Sequence, residues 1–443
     1  MDKLKIIGGN KLTGEIKVSG AKNVAMKVIL AGLLTDKQIY VKNVPLISSV
    51  IGTAEMLKPL GLKTTFGSDH TMTINGENLK SHEISLELGQ LYRTATMVLG
   101  PLLSRFGKAI VPNPGGCRIG KRPIDRHIEG LKAMGAKITY KDGFFYAECE
   151  RLRGTHFKFV SNTHTGTETL ILAAVLAEGE TVLENAAAEP EVDNLIDILN
   201  LMGAKIRRTK SRTIVIQGVN KLTGCEFTIM PDRNEVITFA IGAIATGGDI
   251  IIEDTQRHNL TSFLDGLTKA HAGWEPISDN KTRFYAGNKL FPTDTVIEVY
   301  PGFMTDWQAP WALLMTQADG ASTIHETVYE DRFGYVSQLR KMGADIDFYH
   351  PKVKNPKKFY NFNWNDRKIE NCQAIKISAP VKLHNAIMEV TDLRAGITLV
   401  LAAIVASGES VITGIEHIER GYENIEERLQ GLGGKIKRIT DLS

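Results

Sequence analysis

A short helix ending recurs along this 443-residue chain and limits what the chain can fold into. The pattern Leu-x-x-(Met/Leu)-Gly, followed by a strand-like run, returns every ~70 residues, a period typical of repeated supersecondary units. Glycine directly after a helix adopts the left-handed conformation without a steric cost, so each copy predicts a helix end. The copies end at Gly61, Gly135, Gly203, Gly343 and Gly433, and a sixth copy ends at His271.

A second repeated element is an apolar helix that stops at glycine and precedes a β-branched run. Copies occupy residues 169–179, 238–247 and 398–408. Because these segments are apolar nearly all round, each predicted helix should lie buried in the middle of a domain. The β-branched runs that follow are typical of strands. The chain is therefore predicted to be an α/β protein built from repeated helix-and-sheet units.

Six such units are too many for one hydrophobic core, so we expect two domains of three units each. The step between Gly343 and Gly433 is wider, at about 90 residues, which places extra chain between these two copies. Residues 349–371, which are rich in lysine, asparagine and aromatic side chains, are predicted to be an insertion on the surface.

Charge and cysteine content exclude several classes of protein. A net charge of +3 is too small for a general nucleic-acid surface. The longest nearly apolar run, residues 396–407, is too short to cross a bilayer. The first residues leave no room for a secretion signal, and the four cysteines form no disulfide or metal pattern. We therefore expect a soluble, cytoplasmic enzyme that binds neither membrane nor nucleic acid.

Polar residues stand just before each predicted buried helix, where free backbone N–H groups attract anions. If repeat symmetry brings these helix starts together, cations converge with few acids nearby, which favours binding of phosphate or carboxylate. The alternative is N-capping, which is the better interpretation for Thr167 and Thr305. Lys22 and Arg394 would each place a cation at a helix start, where it opposes the helix dipole, and this favours a ligand at these two positions. The cations at these starts are Lys22, Arg93, Arg233 and Arg394.

Residues 112–127 combine several glycines with cations around Cys117. Glycines let a loop move over a cleft. The neighbouring Arg118, Lys121 and Arg122 should stabilise the Cys117 thiolate and make this cysteine reactive. The other three cysteines lie in ordinary contexts and are expected to be structural.

Asp306 is the leading candidate for a general base, because it begins a buried helix and has no cation beside it in the sequence. A capping role is its alternative. His127 either takes part in acid–base chemistry or donates a hydrogen bond to a ligand, and both interpretations stay open. The chain has no P-loop, no dinucleotide fingerprint and no zinc-ligand spacing, so we expect neither a cofactor nor a metal ion.

Several motifs together identify a family. They are Ser-Gly-Ala-Lys22-Asn23, Pro-Gly-Gly-Cys117-Arg-Ile-Gly-Lys-Arg122-Pro, Thr-Asp306-x-Gln, Asp331-Arg332-Phe333, Thr-Asp392-Leu-Arg394 and His-Ile-Glu-Arg420-Gly-Tyr-Glu. With the sixfold repeat, they resemble the UDP-N-acetylglucosamine 1-carboxyvinyltransferase family of enolpyruvyl transferases. The resemblance covers the whole chain except residues 349–371, and the cysteine loop is its most specific part.

The resemblance implies a two-domain inside-out α/β barrel with three repeats in each domain. One domain would span residues 22–230, and the other would combine residues 1–21 with 231–443. It also implies that the enolpyruvyl group of phosphoenolpyruvate is transferred to the 3′-hydroxyl of UDP-N-acetylglucosamine by addition and elimination, with release of phosphate. This reaction begins peptidoglycan precursor synthesis. The oligomeric state stays open.

The resemblance assigns roles to individual residues. Asp306 would remove the hydroxyl proton, and Cys117 would protonate the methylene carbon of phosphoenolpyruvate and assist product release. Asp392 would support Lys22 or the reaction intermediate. The phosphate and carboxylate groups would be held by Lys22, Arg122, Arg332, Arg394 and Arg420. The UDP-sugar would be contacted by Asn23, Arg93, Arg122, Pro123, Asp125, His127, Thr165, Gly166, Asp306 and Val328.

Four positions depart from the family pattern. His164 stands where serine is common and Asn162 where a basic residue is frequent, and the third and fourth are Asn234 and the pair Val236-Ile237, which interrupt the usual Asp-Arg-x-Glu-x-Gly stretch. His164 and Asn162 lie in the region expected to contact the diphosphate and uridine. The residues expected to carry out the transfer are unchanged.

Two alternatives are the sister family, 5-enolpyruvylshikimate-3-phosphate synthase, and a non-catalytic UDP-sugar-binding paralogue. The cysteine loop argues against the first alternative. The presence of Cys117, Asp306 and Arg394 argues against the second.

Overall fold

The computed structural model describes residues 2–115 and 123–440, which divide into two compact units. One unit, here the 20–230 unit, contains residues 20–115 and 123–230. The other, here the 231–440 unit, contains residues 2–19 and 231–440. Each unit encloses its own hydrophobic core. Cys117 and Arg122 lie outside the described residues.

Both units contain helices and strands interspersed along the chain. The strands are β1 (Asp2–Ile7), β2 (Thr13–Lys17), β3 (Ile39–Lys42), β4 (Lys63–Phe66), β5 (Met72–Asn75), β6 (Lys108–Pro112), β7 (Lys137–Lys141), β8 (Phe144–Glu148), β9 (His156–Lys158), β10 (Glu180–Glu184), β11 (Lys205–Lys210), β12 (Thr213–Gln217), β13 (Glu226–Thr228), β14 (Asp249–Glu253), β15 (Gly273–Pro276), β16 (Lys281–Tyr285), β17 (Asp294–Ile297), β18 (Gly320–Glu326), β19 (Asp345–Tyr349), β20 (Ala374–Ala379), β21 (Ile387–Glu389), β22 (Glu409–Thr413) and β23 (Lys435–Thr440). The helices are α1 (Lys22–Ala31), α2 (Ser48–Leu57), α3 (Leu86–Leu91), α4 (Leu99–Phe106), α5 (Asp125–Ala133), α6 (His164–Ala174), α7 (Pro190–Leu201), α8 (Arg233–Ala245), α9 (Thr261–Lys269), α10 (Gln308–Met315), α11 (Val336–Lys341), α12 (Pro356–Phe359), α13 (Leu393–Val405), α14 (Glu416–Glu419) and α15 (Ile425–Gly431). Short 3₁₀ turns at Arg93–Val98 and Thr305–Trp307 lead into α4 and α10.

The strands form three sheets in each unit, and these sheets share one topology. The 20–230 unit has the orders β13-β3-β5-β4, β6-β8-β7 and β11-β12-β10-β9, and the 231–440 unit has β15-β16-β14-β2, β17-β18-β20-β19 and β21-β22-β1-β23. Every four-stranded sheet has one parallel outer pair and two antiparallel pairs. In the three-stranded sheet, a parallel bridge from Glu83 to Ile110 occupies the place of that outer strand. The sixfold repeat predicted from the sequence is therefore confirmed.

Apolar helices occupy the middle of each unit, and the sheets lie outside them. Every residue of α8 from Arg233 to Ile244 is buried, and so is every residue of α13 from Leu393 to Ile404. Such helices bury all their faces, as their unbroken apolar sequences predicted. None of the helices in the described part of the chain is long and apolar enough to cross a membrane.

The predicted helix ends have the expected backbone conformation. The five glycines that close the repeated pattern all have φ between 91° and 102°. His271 takes the same position in the sixth copy with φ of 54°, a conformation that strains a residue carrying Cβ. The repeat thus preserves the turn even where the glycine is lost.

The insertion lies between the antiparallel strands β19 and β20 and carries α12. Its expected place on the surface is wrong for two of its aromatic side chains, since Tyr360 and Phe362 are only 3% and 8% exposed. The Tyr360 hydroxyl lies 2.9 Å from Nε2 of His325 in β18. Aromatic burial against the sheet therefore anchors the base of the insertion.

Candidate active site

Two aspartates and two arginines meet at helix starts of the 231–440 unit. Arg332 Nη2 lies 3.1 Å from Asp306 Oδ1, and its Nη1 lies 3.5 Å from Asp392 Oδ1. Arg394 Nη2 lies 3.6 Å from Asp306 Oδ2. The Asp306 side chain is 30% exposed, whereas the other three side chains are 10% exposed or less. A partly open carboxylate thus stands between two buried guanidiniums.

Local sequence fixes the position of each group. Asp306 lies in the 3₁₀ turn before α10, and Asp392 is the N-cap of α13, where its Oδ1 accepts hydrogen bonds from two backbone N–H groups at 3.1 Å. Arg394 follows two residues later, and Arg332 lies in the loop after β18. The sequence showed no cation beside Asp306, but the fold supplies two from distant segments. Sequence adjacency could not predict these ion pairs.

Arg394 is held in position by a hydrogen bond to a buried tyrosine. Its Nη1 donates to the Tyr422 hydroxyl at 2.9 Å, and that hydroxyl lies 2.7 Å from Thr238 Oγ1. Burial opposes the charge of Arg394, but Tyr422 and Asp306 outweigh it and raise the pKa of the guanidinium. The pKa of Arg332 is also raised, because Asp392 and Asp306 outweigh the desolvation that opposes its charge. Both arginines therefore remain cationic.

Glu326, at the end of β18, organises this region and was not predicted from the sequence. Its Oε2 accepts from Thr305 Oγ1 at 2.8 Å and from Gln308 Nε2 at 2.7 Å. Its Oε1 accepts from the backbone N–H groups of Val328 at 2.6 Å and Tyr329 at 3.2 Å. Burial raises the pKa of Glu326 to about 7. The alternating buried positions of β18 were the signal that could have revealed it, since they place Glu326 on the same face as Ile324.

Two capping predictions were wrong. Thr305 does not cap its turn, because its hydroxyl donates to Glu326. Thr167 is not the cap of α6 either, because Thr163 caps this helix and Thr167 Oγ1 donates to the Thr163 carbonyl. Arg233, another residue expected at a helix start, is 3% exposed and lies over the rings of Tyr300 and Trp307 at 5.0 and 5.5 Å.

In the 20–230 unit, α5 and α6 bring together two residues expected to contact the UDP-sugar. His127 is buried, and its Nε2 lies 3.0 Å from Thr165 Oγ1. Gly166 donates its backbone N–H to the cap residue Thr163. Asp125 begins α5 and accepts from the N–H of Arg126 at 2.9 Å.

Other expected residues take separate positions on these two units. Lys22 and Asn23 open α1, Arg93 opens the 3₁₀ turn before α4, and Pro123 precedes α5. Arg420 directly follows α14.

The departure at His164 belongs to a buried ionic network between α1 and α6. His164 Nε2 lies 3.1 Å from Glu168 Oε1, and Lys27 Nζ lies 3.2 Å from Glu168 Oε2. Burial disfavours the charged imidazole, but Glu168 outweighs burial and raises the pKa of His164. Asn162, the other departure, is buried, and its side chain donates to the Asn185 carbonyl at 3.3 Å.

Comparisons with known proteins identify the family of the chain. The family model described as EPSP synthase (3-phosphoshikimate 1-carboxyvinyltransferase) matches residues 6–429. A protein of Koribacter versatilis named UDP-N-acetylglucosamine 1-carboxyvinyltransferase is 42% identical over 445 residues, covering 100% of this chain and 98% of the relative. One of the same name from Idiomarina loihiensis is 41% identical, covering 99% of this chain and 100% of the relative.

Two solved structures share the fold. The enolpyruvyl transferase NikO from Streptomyces tendae superposes with a TM-score of 0.86 at 22% identity, covering 99% of this chain and 98% of the other. EPSP synthase from Acinetobacter baumannii superposes with a TM-score of 0.73 at 18% identity, covering 99% and 100%. The inside-out α/β architecture is thus that of the enolpyruvyl transferases. The chain belongs to the EPSP synthase family and, within it, to the UDP-N-acetylglucosamine 1-carboxyvinyltransferases.

Proposed function

We propose that this chain transfers the enolpyruvyl group of phosphoenolpyruvate to the 3′-hydroxyl of UDP-N-acetylglucosamine in the cytoplasm, as the first committed step of peptidoglycan precursor synthesis. The observation that carries the proposal is the Asp306 carboxylate between Arg332 and Arg394. This arrangement combines a base with two fixed cations, which suits a reaction between a hydroxyl group and a donor that carries both a phosphate and a carboxylate. The relatives' names support the choice of substrates.

Asp306 can act as a base only if its two arginines release it. Its contacts of 3.1 and 3.6 Å are longer than the ~2.8 Å typical of tight charge-assisted hydrogen bonds. The phosphate and carboxylate of phosphoenolpyruvate compete for the same guanidiniums, and Arg394 keeps its place through Tyr422. Substrate binding is therefore proposed to exchange the partners of Arg332 and Arg394 and weaken their hold on Asp306, which then accepts the hydroxyl proton.

The proposed reaction has two steps. In the addition, the 3′ oxygen bonds to C2 of phosphoenolpyruvate, Asp306 takes the hydroxyl proton, and Cys117 gives a proton to C3. In the elimination, the Cys117 thiolate takes a proton back from C3, the electrons of that C–H bond form the C2=C3 double bond, and the bond from C2 to the phosphate oxygen breaks. Phosphate leaves with the electrons of that bond, and the proton on Asp306 is released. Fixed cations stabilise the developing negative charge, which is usually the largest catalytic contribution.

The remaining residues complete the proposed machinery. Lys22, Arg122 and Arg420 are proposed to join the two arginines in holding the donor. Asp392 is proposed to position Arg332, which it contacts at 3.5 Å. The UDP-sugar is proposed to contact Asn23, Arg93, Arg122, Pro123, Asp125, His127, Thr165, Gly166, Asp306 and Val328.

Phosphate release from phosphoenolpyruvate tests the proposal. We expect release with UDP-N-acetylglucosamine and none with shikimate 3-phosphate. Asp306→Asn should lower kcat by a factor of about 10²–10⁴, as expected for loss of a general base. Asp319→Asn, at an exposed ion pair with Lys289 in the same unit, is the matched control. Full activity in Asp306→Asn would remove the role given to this residue, and release with neither acceptor would reject the transfer reaction.

A further inference from the structure

A cavity of about 690 Å³ opens within the insertion of the 231–440 unit. It is formed by the chain that leaves β19, by the 3₁₀ turn Trp364–Asp366 and by the chain that enters β20. Nothing in the proposed transfer reaction uses it. Its lining includes Lys352, Lys354, Trp364, Arg367 and Gln373.

The lining carries positive charge without compensating acids. Residues 349–371 contain six lysines and arginines and two acids, a net charge of +4, whereas the whole chain carries +3. Three of these cations, Lys352, Lys354 and Arg367, line the cavity, and no aspartate or glutamate does. Like charges gathered around one cavity repel each other, which favours an anion between them.

Arg367 is held in a fixed orientation. Its guanidinium carbon lies 3.6 Å from the centre of the Trp364 ring, and its Nη1 donates to the Trp364 carbonyl at 3.2 Å. Trp364 stacks on the buried Tyr360 with ring centroids 4.7 Å apart and planes 10° from parallel. A stack that begins in the core therefore fixes the charge at the cavity, which reduces the entropy lost on binding.

We propose that this cavity is a binding site for a small polyanion that carries a chain of phosphates. Trp364 is covered by Tyr360 and by Arg367, and two planar groups at these distances occupy opposite faces of the ring. The tryptophan therefore has no free face on which a nucleobase could stack. The cations bind the phosphate groups, and a nucleoside attached to them adds little affinity.

The cavity wall is hydrogen-bonded to the loop that carries Val328. The Gln373 carbonyl accepts from the N–H of Glu326 at 2.8 Å, and the N–H of Asn361 donates to the Thr327 carbonyl at 2.8 Å. Glu326 in turn holds the N–H of Val328. A bound polyanion should therefore change the KM for UDP-N-acetylglucosamine. This effect on KM rests on the proposed function, whereas the binding of the polyanion does not depend on it.

Isothermal titration of the full chain with inorganic tripolyphosphate tests the site. Lys352→Gln/Lys354→Gln removes two exposed lining charges, and Lys357→Gln/Lys358→Gln removes two exposed charges from the same insertion outside the cavity. Both variants keep the residues proposed to hold phosphoenolpyruvate. Any tripolyphosphate that binds to those residues therefore contributes equally to both titrations. We expect the first variant to bind about tenfold more weakly than the second, since hydrogen bonds to charged groups are strong.

Three results would overturn the proposal. They are equal affinity in the two double variants, absence of saturable binding, and binding to phosphatidylglycerol vesicles without binding to tripolyphosphate. ATP that binds more than tenfold tighter than tripolyphosphate would contradict the phosphate-only recognition. If tripolyphosphate binds but phosphate release is absent with either acceptor, the site stands and the proposed function fails.

Discussion

Replacing Glu326 by glutamine should make the 231–440 unit more stable at alkaline pH. Burial raises the pKa of Glu326 from 4.5 to about 7 in the folded chain. The folded state therefore holds the proton more tightly than the unfolded state, and stability falls as pH rises from about 4.5 to about 7 before levelling off. A glutamine cannot ionise, so its variant lacks this loss.

The magnitude follows from the shift. Each pKa unit corresponds to about 1.4 kcal/mol, so a rise from 4.5 to about 7 corresponds to about 3 kcal/mol. The glutamine can keep the hydrogen bonds if its amide nitrogen replaces Oε2. Gln308 can then turn its amide, because its Oε1 has no hydrogen-bond partner among the described residues, and the Thr305 hydroxyl rotates to accept.

Glu326→Ala is the contrasting variant. It leaves the backbone N–H groups of Val328 and Tyr329 without an acceptor, which costs about 2–5 kcal/mol at every pH.

Urea unfolding between pH 5 and pH 8, followed by tryptophan fluorescence, measures these effects. All four tryptophans of the chain, at positions 274, 307, 311 and 364, belong to the 231–440 unit, so the signal reports this unit. We expect the stability difference between Glu326→Gln and the natural chain to grow by about 2–3 kcal/mol between pH 5 and pH 8, because a small part of the loss already lies below pH 5. Parallel stability curves for the two proteins would refute the reasoning.

Three further predictions follow from other parts of the molecule. The pKa of His164 is raised in the folded chain, so its protonation should stabilise the fold at pH values below its unfolded pKa of 6.5. This stabilisation should disappear as pH rises through the higher pKa of the folded chain. In urea titrations, the stability difference between the natural chain and His164→Asn should therefore shrink as pH rises. His271→Gly should stabilise the chain by about 1 kcal/mol and Gly203→Ala should destabilise it by a similar amount, because both residues have positive φ. An unchanged thermal unfolding temperature in either variant would contradict the conclusion that both residues form the same left-handed helix end. Phosphoenolpyruvate with UDP-N-acetylglucosamine should change the alkylation rate of Cys117, because bound anions offset the cations beside it in the sequence. An unchanged rate would contradict the proposal that Cys117 acts on the donor.

The repeat was readable because its physical causes are local. A glycine at positive φ and an apolar helix each leave a pattern within about a dozen residues, which is the range over which backbone sterics and helical periodicity act. The same patterns predicted the buried helices and the six helix-and-sheet units. The fourth member of the β6 sheet left no such pattern, since it is a single bridge at Glu83.

The candidate site was predicted only in part. The sequence singled out Asp306 and Arg394 by their places at predicted helix starts, and the family resemblance added Arg332. They could not predict that Asp306 lies between the two arginines, since these three residues are brought together from separate segments. Glu326 was missed because a glutamate in a strand is ordinarily exposed, and only burial distinguishes it.

The sequence by itself determined the α/β class, the sixfold repeat and the residues able to carry the chemistry, because these follow from local periodicity and residue type. The tertiary structure decided the protonation state of buried groups and the partner of each charge. Those properties depend on distances across the core, between residues such as Arg394 and Tyr422 or His164 and Glu168. Electrostatic energy depends on separation in space and on burial, and the order of residues along the chain specifies neither directly.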